Sequence, residues 1–288
     1  MAIIDEIKDT FHTGNSLVKL IFINTAVFVL FRLVFIIYFL ADKSGYFPIT
    51  YWMSMPSMPV VLLNRPWTVI TYMFYHEEFL HFIFNMLNLY WFGKIFLIYF
   101  DQKKLISIYL LGGIAGGVTY FAFYNIFPSV LGNGLLLGAS ASIIAIMIAV
   151  AFYAPNFKVN MLFIGEVKLK YIGIFSIILF IILIASDNPG GNLAHLGGAV
   201  FGLIWATSYK LGKDFISGFT DLLDSFFKLF NRNKLKVAHR SPRDDFEYNK
   251  VKLLNQKEVD RILDKISKGG YEKLSKEEKD TLFRMGKN

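Results

Sequence analysis

Six long apolar stretches recur along the chain, at about residues 17–40, 79–100, 105–127, 135–154, 171–185 and 193–209. Each is cut from the next by charges, or by a short segment bearing glycine or proline. The stretches are continuous rather than alternating, and several approach the ~20 residues that cross a bilayer core. They predict an all-α polytopic membrane protein of six spans, because barrel strands would alternate. The connection over 41–77 breaks the rhythm. It carries Tyr46, Phe47, Tyr51, Trp52, Trp67, Tyr72 and Tyr75, rings that collect at headgroup level. That predicts a structured, half-inserted loop with short helices. Gly112, Gly113, Gly116 and Gly117 in the third stretch predict close approach of a neighbouring helix.

Charge adds an orientation. The chain holds 30 Lys and Arg against 22 Asp and Glu, a net charge of +8. Nearly all the basic residues fall in 101–104, in 156–170 and after Lys210, which places those segments and both termini inside. Spans two, four and six then run from outside to inside. Three regions follow: an N-terminal segment (1–16), a six-helix membrane domain (17–210) and a small helical cytoplasmic tail (211–288). In the tail, Phe215, Phe219, Leu222, Leu223, Phe226, Phe227 and Phe230 share one helical face. Arg232, Lys234, Lys236, Arg240 and Arg243 follow it. That pattern predicts a helix lying on anionic lipid, or else packed on the bundle or on another chain, with no role for nucleic acid. Val259, Ile262, Leu263 and Ile266 form a second face, and Ser275 with Glu278 reads as a capping box. No cleavable signal and no Arg-rich transit pattern is recognisable at the N-terminus, which points to a bacterial cytoplasmic membrane.

Chemistry narrows the picture further. The chain has no cysteine, so thiolate nucleophiles and Cys-based metal sites are excluded, and no metal or cofactor is expected. Polar groups inside spans are costly and usually functional. Arg32 in the first span either reaches the interface or bonds within the bundle. His81 and Asn85 share one face of the second span. Ser140 lies one to two turns into the fourth and His195 in the first turn of the sixth. All four fall at similar depth toward the outer side, although the topology was read from other residues. Serine with histidine is the minimum for acyl transfer, the imidazole taking the hydroxyl proton. Donors for the oxyanion are available from His81, Asn85 and the Ser140 N–H. Gly138 and Ala141 leave room beside the serine, and Gly198 and Gly202 let spans four and six approach.

These motifs resemble those of rhomboid-family intramembrane serine proteases over roughly residues 60–210. The family's His-x-x-x-Asn stands as His81 to Asn85, its Gly-x-Ser-Gly as Gly138-Ala139-Ser140-Ala141, and its Ala-His-x-x-Gly-x-x-x-Gly as Ala194 to Gly202. The resemblance implies a six-helix bundle that hydrolyses peptide bonds in or near transmembrane segments of membrane-protein substrates. It implies Ser140 as nucleophile, His195 as base in a dyad without a carboxylate, and His81 and Asn85 at the oxyanion. It also implies that 41–77 is the family's membrane-dipping loop and that His76 is structural. Three departures stand out: Ala141 replaces a glycine; Thr68 follows Trp67 where many relatives carry arginine, so that a loop-stabilising interaction is missing or replaced; and the acidic residue that many relatives have after the glycine of the second span is absent near Gly93, where Lys94, Ile95, Phe96 and Leu97 stand. Two rival readings are a catalytically inactive rhomboid-like binder of membrane proteins and a small transporter. The transporter is disfavoured because no polar chain continues toward the inner side.

Overall fold

The structure is a computed structural model and describes residues 13–41, 48–161, 164–230, 261–262, 264–266 and 274–279. Residues 1–230 form one compact unit and 231–288 another. In the first, α1 (Ser16–Leu40) leads into a loop holding α2 (Pro48–Met53), β1 (Met55–Pro56), α3 (Pro59–Asn64) and α4 (Thr68–Thr71). Then come α5 (Phe79–Tyr99), α6 (Gln102–Ile126), the short α7 (Pro128–Leu131), β2 (Leu135–Leu136) and α8 (Ser140–Tyr153). A hairpin of β3 (Lys158–Met161) and β4 (Gly165–Lys168) precedes α9 (Leu169–Ile182), α10 (Pro189–Lys210) and α11 (Ser217–Phe230). The chain is an all-α membrane bundle carrying two small strand pairs.

Among the described residues, α1, α5 and α6 are long and apolar enough to cross a membrane. The fourth element differs from the expected 135–154 helix. It starts at Ser140 and has 14 residues, about 21 Å at 1.5 Å per residue. Residues 135–136 are instead extended, pairing with Met55 and Pro56, and Gly138 turns the chain with φ +106, a conformation glycine adopts without penalty. The helix can be short because protein surrounds it: every residue from Ala141 to Ala151 is buried. A helix that is hydrophobic all round is a core helix.

Small residues hold the three central helices together. A β-carbon on Gly112 of α6 would overlap the Ala145 methyl of α8, its next neighbour lying 3.7 Å away. One on Gly116 would meet the Ala141 methyl at 2.6 Å and the Ala194 carbonyl of α10 at 2.8 Å. The Gly112 overlap involves a single methyl, so it is correctable. Gly112→Ala should destabilise the protein by about 1–3 kcal/mol, the usual cost of overpacking. Adding Ala145→Gly should restore most of it, since the exchange is nearly neutral in helix propensity. Thermal unfolding in detergent checks the pair; a double variant no more stable than Gly112→Ala would refute the contact.

The bundle's two ends are distinct. At one, the Ser16 N–H and hydroxyl both reach Gln102 Oε1. Tyr99, Phe100, Tyr153, Trp205 and Tyr209 there join the C-terminal ends of α5, α8 and α10. At the other, the 48–77 loop meets the chain that enters α8. Helices α5, α8 and α10 therefore run parallel, as expected for spans two, four and six. The loop has its own scaffold. The buried Arg65 guanidinium lies 3.4 Å from the Tyr51 ring centroid and donates to the Tyr51 carbonyl. Trp52 and Trp67 stack at 5.8 Å, and Thr68 Oγ1 donates to the Arg65 carbonyl at 2.7 Å. An arginine two residues before Trp67 thus ties the loop together. Asn24 and Arg32 both bond within the bundle: Asn24 Nδ2 donates to Tyr109 Oη (3.2 Å) and Arg32 Nη1 to the Glu77 carbonyl (3.1 Å).

Helix α11 is fixed to the start of α6 through Ser107–Thr220 (2.9 Å) and Lys103–Asp224, while Leu222 stays 65% exposed. In the second unit, Ser275 and Glu278 form the expected capping box, N–H to side chain in both directions (2.8 and 3.2 Å). The basic run from Arg232 to Arg243, with Val259 and Leu263, lies outside the described residues.

Candidate active site

Ser140 stands at a strand-to-helix turn built by its predecessors. The Gly138 N–H donates to the Tyr72 carbonyl (2.8 Å), and the Ala139 N–H to His76 Nε2 (3.3 Å). Helix α8 then begins at Ser140 itself, not one to two turns earlier. Its first N–H groups have no acceptor within the helix and carry its positive dipole end. Sequence periodicity misses this start because the apolar run continues unbroken through the turn.

Helix α10 starts at Pro189, with the Asn188 side chain accepting from the Gly191 N–H (2.9 Å). Asn192 Nδ2 donates to the Leu183 carbonyl (2.7 Å), pinning the α9–α10 turn. His195 thus lies in the second turn, about 9 Å along the helix, rather than in the first. Its Nε2 is 2.7 Å from Ser140 Oγ. Both residues are half-buried. His195 Nδ1 is buried and has no hydrogen-bond partner among the described residues. The Phe180 ring from α9 lies 4.8 Å from the imidazole centroid, tilted by 59°. Phe180 therefore confines a ring that no carboxylate among the described residues orients; the apolar run around it left nothing in the sequence to mark it.

The approach of α8 and α10 rests on missing side chains. A β-carbon on Gly198 would fall inside contact distance of the Ala141 carbonyl, and one on Gly202 would do the same at the Ala145 carbonyl. The Ala141 methyl itself points at Gly116 of α6. The alanine at 141 thus keeps its close packing against Gly198 through its backbone, while Gly116 makes room for its methyl.

His81 packs on the turn. Its Cε1 would lie 2.8 Å from a β-carbon on Gly138, and its ring meets His76 edge-on at 5.4 Å. Asn85 is buried one turn along and donates to the His81 carbonyl of its own helix (3.0 Å). Ser140 and His195 are thus in direct contact, His81 is beside the turn, and Asn85 bonds back onto its helix. Burial pushes the His76 imidazole down to about 4, so near neutrality it is uncharged and accepts from Ala139. An unfolded chain takes up that proton near 6.5 and the folded one only near 4. The stabilisation is therefore complete above pH 6.5 and is lost as the pH falls toward 4, by at most about 3 kcal/mol. His76→Gln should flatten this part of the stability–pH curve; an unchanged slope would show that His76 does not cause it.

Residues 63–210 match the Rhomboid domain family, and 244–288 match a family of unknown function (DUF6576). The chain is 33% identical over 160 residues to RHOMBOID-like protein 12, mitochondrial, of Arabidopsis thaliana, covering 51% of this chain and 48% of that protein. It is 30% identical over 145 residues to Presenilin-associated rhomboid-like protein A, mitochondrial, of Danio rerio, covering 47% and 35%. The matches thus span about half or less of these relatives' lengths. Both relatives are named mitochondrial, so they give no support to the bacterial membrane expected from the N-terminal residues. Integration into a membrane stands on the family and on the apolar helices.

Proposed function

Because the chain belongs to the rhomboid family, we propose that it is an intramembrane serine endopeptidase acting on transmembrane segments of other membrane proteins. The observation that carries this reading is the 2.7 Å contact between Ser140 Oγ and His195 Nε2. His195 takes the hydroxyl proton as Ser140 Oγ attacks the scissile carbonyl. The resulting imidazolium then protonates the leaving amine, and water repeats the sequence on the acyl-enzyme. The oxyanion forms against the open N–H groups at the α8 start, with His81 and Asn85 on its other side; Asn85 must leave its bond to the His81 carbonyl to donate there. A helical substrate hides its carbonyls in hydrogen bonds, so it must unwind locally, and helix-breaking residues near the cut favour this.

A fluorophosphonate probe tests the reading in the purified protein. Labelling is expected for the wild type and absent from Ser140→Ala. A wild type that resists the probe while folded would favour an inactive binder of membrane proteins.

In this reading the end holding Ser16, Gln102 and α11 faces the inside, and α11 rests on anionic lipid. Its anchor to α6 leaves Leu222 and Phe226 outward, with Lys213 and Lys228 exposed, a pattern suited to an interfacial helix. In nanodiscs containing phosphatidylglycerol, amides of 217–230 should exchange more slowly than in phosphatidylcholine alone. Leu222→Glu with Phe226→Glu should erase the difference; persistence of slow exchange in that variant would exclude lipid contact as its cause.

A further inference from the structure

A cavity of about 500 Å³ lies between α1 and the start of α5, lined by Phe31, Arg32, Phe35, Glu77, Glu78 and Phe79 among others. It takes no part in the chemistry proposed for Ser140. Its charges are arranged unusually for a membrane protein. Arg32 lies within the apolar α1, where a cation is costly. Yet among the described residues it has no ion pair, only the bond to the Glu77 carbonyl and the flank of the Phe35 ring at 5.1 Å. A guanidinium has five N–H donors in a planar fork suited to phosphate, so most of that capacity is unused. The Glu77 carboxylate accepts from Thr50. The Glu78 carboxylate is exposed and has no hydrogen-bond or ion-pair partner among the described residues. From Arg32 and the start of α5 toward the Ser16 end of the bundle, both helices carry exposed apolar side chains: Val29 and Leu30 on α1, and Leu80 and Phe84 on α5.

We propose that this cavity holds the headgroup of a phospholipid carrying both a phosphate and a primary amine, as in phosphatidylethanolamine. The phosphate sits on the free edge of Arg32 and the ammonium on Glu78. The acyl chains run inward along the exposed apolar side chains of α1 and α5. A soluble anion would leave Glu78 opposed and those side chains bare, whereas this lipid satisfies the cation, the carboxylate and the apolar side chains together. The assignment goes beyond the proteolytic reading and does not depend on it.

Native mass spectrometry of the full-length protein, titrated with matched-chain phosphatidylethanolamine, phosphatidylcholine and phosphatidylglycerol, tests it. Phosphatidylethanolamine should be retained at about tenfold lower concentration than the other two, about 1.4 kcal/mol. Arg32→Ala should weaken its retention about tenfold. Glu78→Gln, an exposed change that spares the fold, should remove the preference over phosphatidylcholine. Equal retention of all three lipids, a preference for phosphatidylglycerol, or a preference untouched by Glu78→Gln would overturn the proposal. So would equally tight binding of soluble phosphoethanolamine.

Discussion

Ser140→Ala is expected to lower cleavage of a membrane-embedded substrate by at least ~10³-fold, with the fold intact. The hydroxyl is the only group of the proposed site that forms a bond to the substrate, so its loss removes the acyl-enzyme route altogether. The packing around it is insensitive to one oxygen, because Ala139 and Ala141 on either side are the buried residues. What the variant does lose is the partner of His195 Nε2. An unsatisfied, largely buried nitrogen costs about 1–3 kcal/mol, so the unfolding midpoint should fall slightly and no further. His195→Ala should match Ser140→Ala in rate, and the double variant should be no slower than either, since a nucleophile and its base act as one unit. Cleavage assays in proteoliposomes measure all three. Ser140→Ala activity within about tenfold of the wild type would end the assignment.

The sequence carried the site's chemistry further than its geometry. Spacing within His81–Asn85 and within Ala194–Gly202 marks helical faces regardless of where a helix begins, so those assignments needed no tertiary information. Where α8 begins did need it. The chain before Ser140 is as apolar as the helix after it, and what stops the helix is a two-residue pairing with Met55 and Pro56, some eighty positions away. The same turn depends on Tyr72 and His76 from the loop, contacts that no periodicity encodes. Arg65 is a related case. It is an isolated basic residue in an outer segment, with nothing in the pattern around it to mark a role, yet it is buried at 3% exposure beneath Tyr51 and organises the loop. Phe180 is one aromatic among many in its run, and only the fold sets it against His195. The β3–β4 hairpin, whose Lys158–Glu166 pair closes at 2.6 Å, lies in a segment too short and mixed for alternation to reveal its strands.

Gly198→Val is expected to be the most damaging single substitution in the membrane domain away from the dyad. At most crowded glycines the obstruction is the end of a side chain, which can rotate; at Gly198 it is the Ala141 carbonyl of the neighbouring backbone. Relief requires α8 and α10 to separate. Gly202 faces the Ala145 carbonyl one turn along, so the two helices touch along a flat strip and cannot pivot around one point. Alanine at 198 already clashes, and should cost about 1–3 kcal/mol as overpacking does; valine adds two methyls and exceeds that range. The functional effect should outrun the loss of stability. Ala141 follows the nucleophile and Gly198 lies three residues after His195, so any separation of the helices stretches the 2.7 Å contact directly. A misplacement of about 1 Å can cost ~10²-fold in rate. Gly218→Ala on α11, where an added β-carbon meets nothing within 4 Å, is the control and should be neutral or stabilising by up to about 1 kcal/mol. Parallel unfolding and cleavage measurements decide the matter: Gly198→Ala with wild-type values for both would mean that the close packing of these helices does not hold the dyad.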